Sequence, residues 1–329
     1  MQRNLLVDRL KGYACFLVLF GHVIMGVRLS GIDTPSCFIN LESFIWSFHV
    51  PLFFFLSGVV YKITNEWKSK KSKAQFLKHK LINLGVPYVF FSIIYILINS
   101  LVATANTSSS VKDILFIWKT PIAQYWFLYS LFFLFVIWTV LEGTLKNWQI
   151  TLAVFLFGYL APAFNIGFGS FEAVVFSALP FGLGTVLNPT LIEKRKDILK
   201  IILIIIHVAF AIGMIYLNII EKPIFKEMAL ILGIAASIGF IELITRLKPF
   251  AKFLDFFSKY SFQIYLLHTF FTAGCRIVLL KIGVTQWYIH IIIGSALGIF
   301  GSVLAALLAK RIKPINFLFF PSATINKKI

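Results

Sequence analysis

Charge is scarce in this sequence, and acid is scarcest: charged residues are 13% of 329, with 13 Asp and Glu against 31 Lys and Arg. An ordinary soluble domain carries about a quarter of its residues charged, so that class is excluded. Cysteine is nearly absent as well. Cys15, Cys37 and Cys275 are too few and too scattered for a disulfide framework or a zinc site. There is no Walker-type phosphate loop, no G-x-S-x-G elbow, no HExxH pair and no metal-ligand cluster, which disfavours ATP-driven transport and zinc proteolysis. No internal repeat stands out either, and no metal is expected.

What is abundant is apolar surface. Hydrophobic residues make up 59% of the chain, Phe alone numbers 37, and the mean hydropathy is +0.88. Apolar runs of about 17 to 24 residues recur, each long enough for a hydrocarbon core of about 30 Å. The expected fold class is all-α, a polytopic membrane protein whose single domain fills 1–329. Ten helices are expected near 12–28, 44–61, 81–103, 121–141, 149–165, 172–189, 199–219, 228–245, 260–280 and 287–309. An even count puts both termini on one side, and the concentration of Lys and Arg in alternate loops makes that side cytoplasmic. The first run lacks a small-x-small cleavage site before Val27 and Arg28, so it is expected to stay as a helix.

The net charge of +18 and pI near 9.8 are spread over short juxtamembrane loops rather than gathered in one basic domain. Contact with anionic lipid explains this more simply than nucleic acid. The main inner loop, 62–80, holds seven lysines against one glutamate and is suited to an interfacial helix. TANTSSS at 104–110 marks an outer loop, and 310–329 is a short basic tail.

The stretch DRLKGYACFLVLFGHV, 8–23, places a histidine where lipid belongs. On a helix, the eleven steps from Lys11 to His22 come within about 20° of three full turns. Asp8 lies about 40° from His22 and Cys15 about 20°, so Asp8, Lys11, Cys15 and His22 form one stripe, while Arg9 points roughly 140° away. With Lys11 at the inner interface, His22 rises about 16 Å, close to the midplane. Ionisable groups at that depth usually face the bundle interior and mark function; a plain interhelical hydrogen bond is the alternative. Lys11 fits either a topology anchor or a ligand contact, and Arg9 fits an anchor or an ion-pair partner.

Two further runs repeat the pattern. In SFIWSFHVPLFFFLSGVVYK, 43–62, His49 sits roughly 8 Å deep from the outer side beside Trp46 of the aromatic belt, and Pro51 loosens the helix just beyond it. In YSFQIYLLHTFF, 260–271, His268 lies about 12 Å up a helix rising from inside, with Ser261, Tyr265 and Thr272 on its side. A structural seam and a substrate contact fit this second stripe equally. The heights are compatible with one cavity, although spacing alone does not bring the rings together. His79, His207 and His290 have no local constellation and are expected to be structural.

Taken in order, Asp8-x-Leu10-Lys11-Gly12 with Gly21-His22, Phe48-His49-x-Pro51-Leu52-Phe53-Phe54-Phe55-Leu56-Ser57-Gly58, Pro87-Tyr88, Trp126-Phe127-Leu128 and Ser261-x-x-Ile264-Tyr265-Leu266-x-His268 resemble membrane-bound acyltransferase family 3. The closest likeness is to its fucose 4-O-acetylase-like subgroup, and it spans nearly the whole chain. The resemblance implies a ten-helix core that takes acyl-CoA from the cytoplasm and O-acylates a sugar of a cell-surface glycan in a bacterial inner membrane. Lys11 stands where the family pattern has arginine eleven residues before the histidine. Lys80-x-x-Asn83 keeps one charge of the usual basic pair. The chain stops soon after the tenth helix, so transfer is expected to finish in the membrane core or with a separate partner.

Under that resemblance His22 is the general base, since a sugar hydroxyl is a poor nucleophile and an imidazole can take its proton. Low-dielectric surroundings favour the neutral ring this requires. Asp8 orients Lys11, and Lys11, Arg9 and Lys80 hold the phosphates of acetyl-CoA. His49, Trp126, Ser57, His268 and Tyr265 face the acceptor, a glycan or lipid-linked sugar. A covalent route through His22 stays open, as do a homo-oligomer and a rival class, a flippase for a lipid-linked glycan.

Overall fold

The computed structural model describes residues 4–64, 72–101, 109–217, 219 and 222–319. The chain is a multi-pass, all-α membrane protein. Among the described residues no strand forms, and nine helices are long and apolar enough to cross a membrane. The tenth expected span, 149–165, is the difference. Its α-helix is Asn147–Leu160, 14 residues, or about 21 Å. Ala161–Phe164 then tighten into a 3-10 turn and Asn165 turns left-handed at φ 57°.

The expected interfacial helix of loop 62–80 falls partly on 65–71, and the outer loop partly on 102–108; these stretches, like tail residues 320–329, lie outside the described residues. The described end of that inner loop, Lys73–Lys80, instead runs straight into the third span through a π-helical turn at Leu81–Gly85. Pro87, with no N–H to give the carbonyl four residues back, lies just past that turn. The tail carries a helix, Lys313–Phe319, whose Phe319 packs on Phe91 at 5.4 Å between ring centroids.

The chain forms two compact units, residues 1–56 with 187–303, and 57–186 with 304–329. In the first, helix α1 (Leu5–Leu29) is the hub. Against it lie α2 (Ser36–Trp46), α10 (Pro223–Ile244), α11 (Lys248–Lys281) and, through Gly294 and Gly298, α12 (Trp287–Ala309); α9 (Asp197–Tyr216) packs on α10, forming a hairpin, and on α2, and the unit also holds the start of α3 (His49–Thr64). The labels α4 to α8 belong to Lys73–Lys80, Val86–Leu101, Trp126–Leu141, Asn147–Leu160 and Glu172–Val186 of the second unit.

Helices α1 and α11 run parallel in a fixed register. Arg9 pairs with Asp255 at 3.0 Å, the Cys15 thiol donates to the Ser261 carbonyl at 3.5 Å, and His22 meets His268; each pair is 246 residues apart. Gly12 permits the approach. A Cβ there would stand 2.2 Å from the Leu254 carbonyl oxygen and 3.0 Å from the Ser258 nitrogen. Above it, Cys15, Leu19, Val23, Ile24 and Val27 interlock with Phe257, Ile264 and Ile291 in a buried core. The hairpin is pinned by charge: Lys200, 2% exposed, holds Glu242 and lies 3.4 Å from Asp197, and Arg246 bridges both carboxylates.

In the second unit, Gly58 and Gly182 give α8 close neighbours: added Cβ atoms would stand 2.0 Å from the Phe181 carbonyl and 2.4 Å from Thr151 Oγ1. Tyr61, Phe76, Phe135, Trp138 and Phe181 form its aromatic core. Tyr61 donates to Glu142 at 2.6 Å.

Candidate active site

The site follows from a break in the second span. Helix α2 ends at Trp46, Ser47 and Phe48 form a turn, and α3 starts at His49 with Pro51 as its third residue. Proline is tolerated in a first turn, where its missing N–H would be unbonded anyway, but not in a helix interior. The loosening expected beyond His49 therefore falls before it, as a two-residue turn at Ser47 and Phe48 within one span. Trp46 and His49 flank the break, and both turn toward α1.

Three histidines drawn from three different helices meet there. Ring centroids step from His268 to His22 at 5.0 Å, from His22 to Trp46 at 5.1 Å, and from Trp46 to His49 at 4.8 Å, all edge to face. The separate heights expected for His268 and His22 collapse to one level, because α11 begins at Lys248, twelve residues before the assumed entry at 260. Trp46, expected in the aromatic belt, packs between two of the rings.

Each histidine makes the same local bond. Nδ1 of His22 lies 2.8 Å from the Val18 carbonyl, that of His49 2.7 Å from Ile45, and that of His268 2.8 Å from Ile264. A carbonyl oxygen only accepts, so Nδ1 carries the proton and Nε2 keeps its lone pair in all three. The rings differ in access. His49 and His268 are 0% exposed and their Nε2 atoms are buried without a partner, whereas His22 is partly exposed and its Nε2 is not among the buried orphan atoms. His22 thus offers a proton acceptor that a bound molecule can reach. No group of three His, Cys, Asp or Glu among the described residues could hold a metal ion.

One charge pair flanks the rings. Arg28, at the end of α1, grips Glu42 of α2 through Nε and Nη2, both at 2.8 Å, with Glu42 only 6% exposed. Sequence reasoning passed over both residues. The available signal was a lone acid in an apolar helix, one turn before Trp46 and two before His49, the i, i+4, i+7 pattern of one face.

A family model described as an acyltransferase domain matches residues 4–309. The chain belongs to acyltransferase family 3. No curated protein and no solved structure matches it. The matched span contains every residue of this acyltransferase cluster, and the motif glycine Gly12 has the packing role described above.

The other expected site residues are distributed as follows. Asp8 and Lys11 lie half-buried in the first two turns of α1, and the unbroken helix keeps Lys11 about 16 Å from His22 along the axis. Arg9 is the ion-pair partner of Asp255. Tyr265 is half-buried on α11, one turn before His268. Ser57, Lys80 and Trp126 belong to the second unit, where the Lys80 ammonium sits over Phe135 at 4.5 Å and Trp126 opens α6. Of the histidines expected to be structural, His207 is boxed by Phe44 and Phe48, and His290 bonds the Val284 carbonyl at 2.9 Å.

Proposed function

We propose that this family 3 acyltransferase is an O-acetyltransferase of the fucose 4-O-acetylase-like kind. It would move acetyl from cytoplasmic acetyl-CoA to a sugar hydroxyl of a cell-surface polysaccharide or its lipid-linked precursor, in a bacterial inner membrane with both termini cytoplasmic. The observation that carries the reading is the reachable Nε2 of His22, held in its acceptor form by the Val18 carbonyl.

In this mechanism His22 Nε2 takes the acceptor's hydroxyl proton as its oxygen attacks the thioester carbon. The C–S bond then breaks, and the proton passes from His22 to the departing thiolate. Positioned imidazole catalysis of this type contributes about 10²- to 10⁴-fold. Lys11, oriented by Asp8, holds donor phosphate together with Arg9. His49, His268 and Tyr265 serve the acceptor side. The glycan and the surrounding bilayer are the partners.

The test is reconstitution of the full chain in lipid with acetyl-CoA, following free CoA against candidate glycans. Glycan-dependent CoA release is expected. Glycan movement across the bilayer without CoA release would replace the reading with transport.

A further inference from the structure

Acyl transfer leaves a negative charge on the thioester oxygen as the tetrahedral intermediate forms, and a site that accelerates it needs a hydrogen-bond donor aimed at that oxygen. The rings around His22 offer few. His49 and His268 have committed Nδ1–H to their own helices, and their Nε2 atoms are buried acceptors. Glu42 is an acceptor, and Arg28 spends two arms of its fork on it. Lys11 is about 16 Å down the helix axis.

Trp46 remains. Indole Nε1–H only donates, and in Trp46 it has no hydrogen-bond partner among the described residues. It is also not one of the buried orphan atoms, in contrast to Trp138 Nε1, and the residue is partly exposed. Its ring centroid is 5.1 Å from that of His22. A ring with an open acceptor and a ring with an open donor are therefore in edge-to-face contact.

We propose that Trp46 is a catalytic residue whose indole N–H binds the thioester carbonyl oxygen as it becomes the oxyanion, while His22 Nε2 removes the acceptor's proton. The inference rests on the acyl-transfer reading above. The electrons balance within the site. The attacking oxygen bonds to the carbonyl carbon, the C=O pair moves onto oxygen against Trp46, and its return expels the thiolate, which takes the proton from His22. Trp46 gives up no proton at any step.

The experiment compares wild type, Trp46→Phe and a protein carrying the sulfur isostere 3-benzothienylalanine at position 46, each full length in lipid with acetyl-CoA and an active glycan. The isostere keeps the bicyclic packing against His22 and His49 and removes only the N–H. We expect kcat to fall about 10²-fold, the scale of one lost oxyanion donor, with both KM values and the pH profile unchanged. An isostere with wild-type kcat overturns the assignment, and so does a loss that comes with a shifted pH profile, which would mean a displaced His22. A wild-type protein that releases no CoA with any glycan overturns the acyl-transfer reading itself.

Discussion

Replacing Gly12 by alanine tests the seam that brings His22 to His268. The new Cβ would lie 2.2 Å from a backbone carbonyl of α11, where ordinary contact begins at 3.4 Å. Neither partner is a flexible side chain, so the helices must part locally by about 1 Å. Alanine's better helix propensity is worth about 1 kcal/mol, and overpacking of this kind costs about 1–3 kcal/mol. The clash therefore wins or breaks even in stability, while the displacement persists in either case. Gly274, on α11, is the control, because nothing lies within 4 Å of its would-be Cβ. Thermal unfolding and CoA release of both variants in lipid are the assays. Gly12→Ala should lower the melting temperature or leave it level and should lose most of its transfer rate; Gly274→Ala should keep both. Equal behaviour of the two would refute the close-packed parallel seam.

Other predictions follow from the same geometry. Lys200→Met should destabilise the α9–α10 hairpin by about 3 kcal/mol, the low end for breaking a buried pair, because Arg246 still holds Glu242; denaturant unfolding reads it. Arg9→Gln and Asp255→Asn should each cost under about 1 kcal/mol, as expected for a partly exposed pair. Arg9→Gln should in addition raise the KM for acetyl-CoA, and equal KM values in the two variants would reduce Arg9 to a strut. Terminal tags probed in intact vesicles should report both ends on one side, which requires Asn147–Leu160 to cross; opposite sides would remove that helix from the span count.

Much of this was legible in the sequence, and the failures have physical causes. Composition announced the membrane, and lone imidazoles in apolar runs announced the polar cluster, because each conflicts with its surroundings. Convergence was not legible. The depth expected for His268 starts from a helix entry at residue 260, while Lys248, Lys252 and Lys259 ride on a helix of 34 residues. Trp46 carries the usual look of a belt residue, and Arg28 and Glu42 that of interface charges, so their contacts appeared only with the fold. The apolar stretch to residue 165 hid a helix that ends at Leu160, since hydropathy records burial in lipid and not backbone dihedrals.

Whether His22 is the base is decided by the kcat of His22→Gln for CoA release from the lipid-reconstituted chain at saturating acetyl-CoA. Loss of a general base at this position gives a fall of about 10²- to 10⁴-fold with the acetyl-CoA KM unchanged. A kcat within a few-fold of wild type would contradict it.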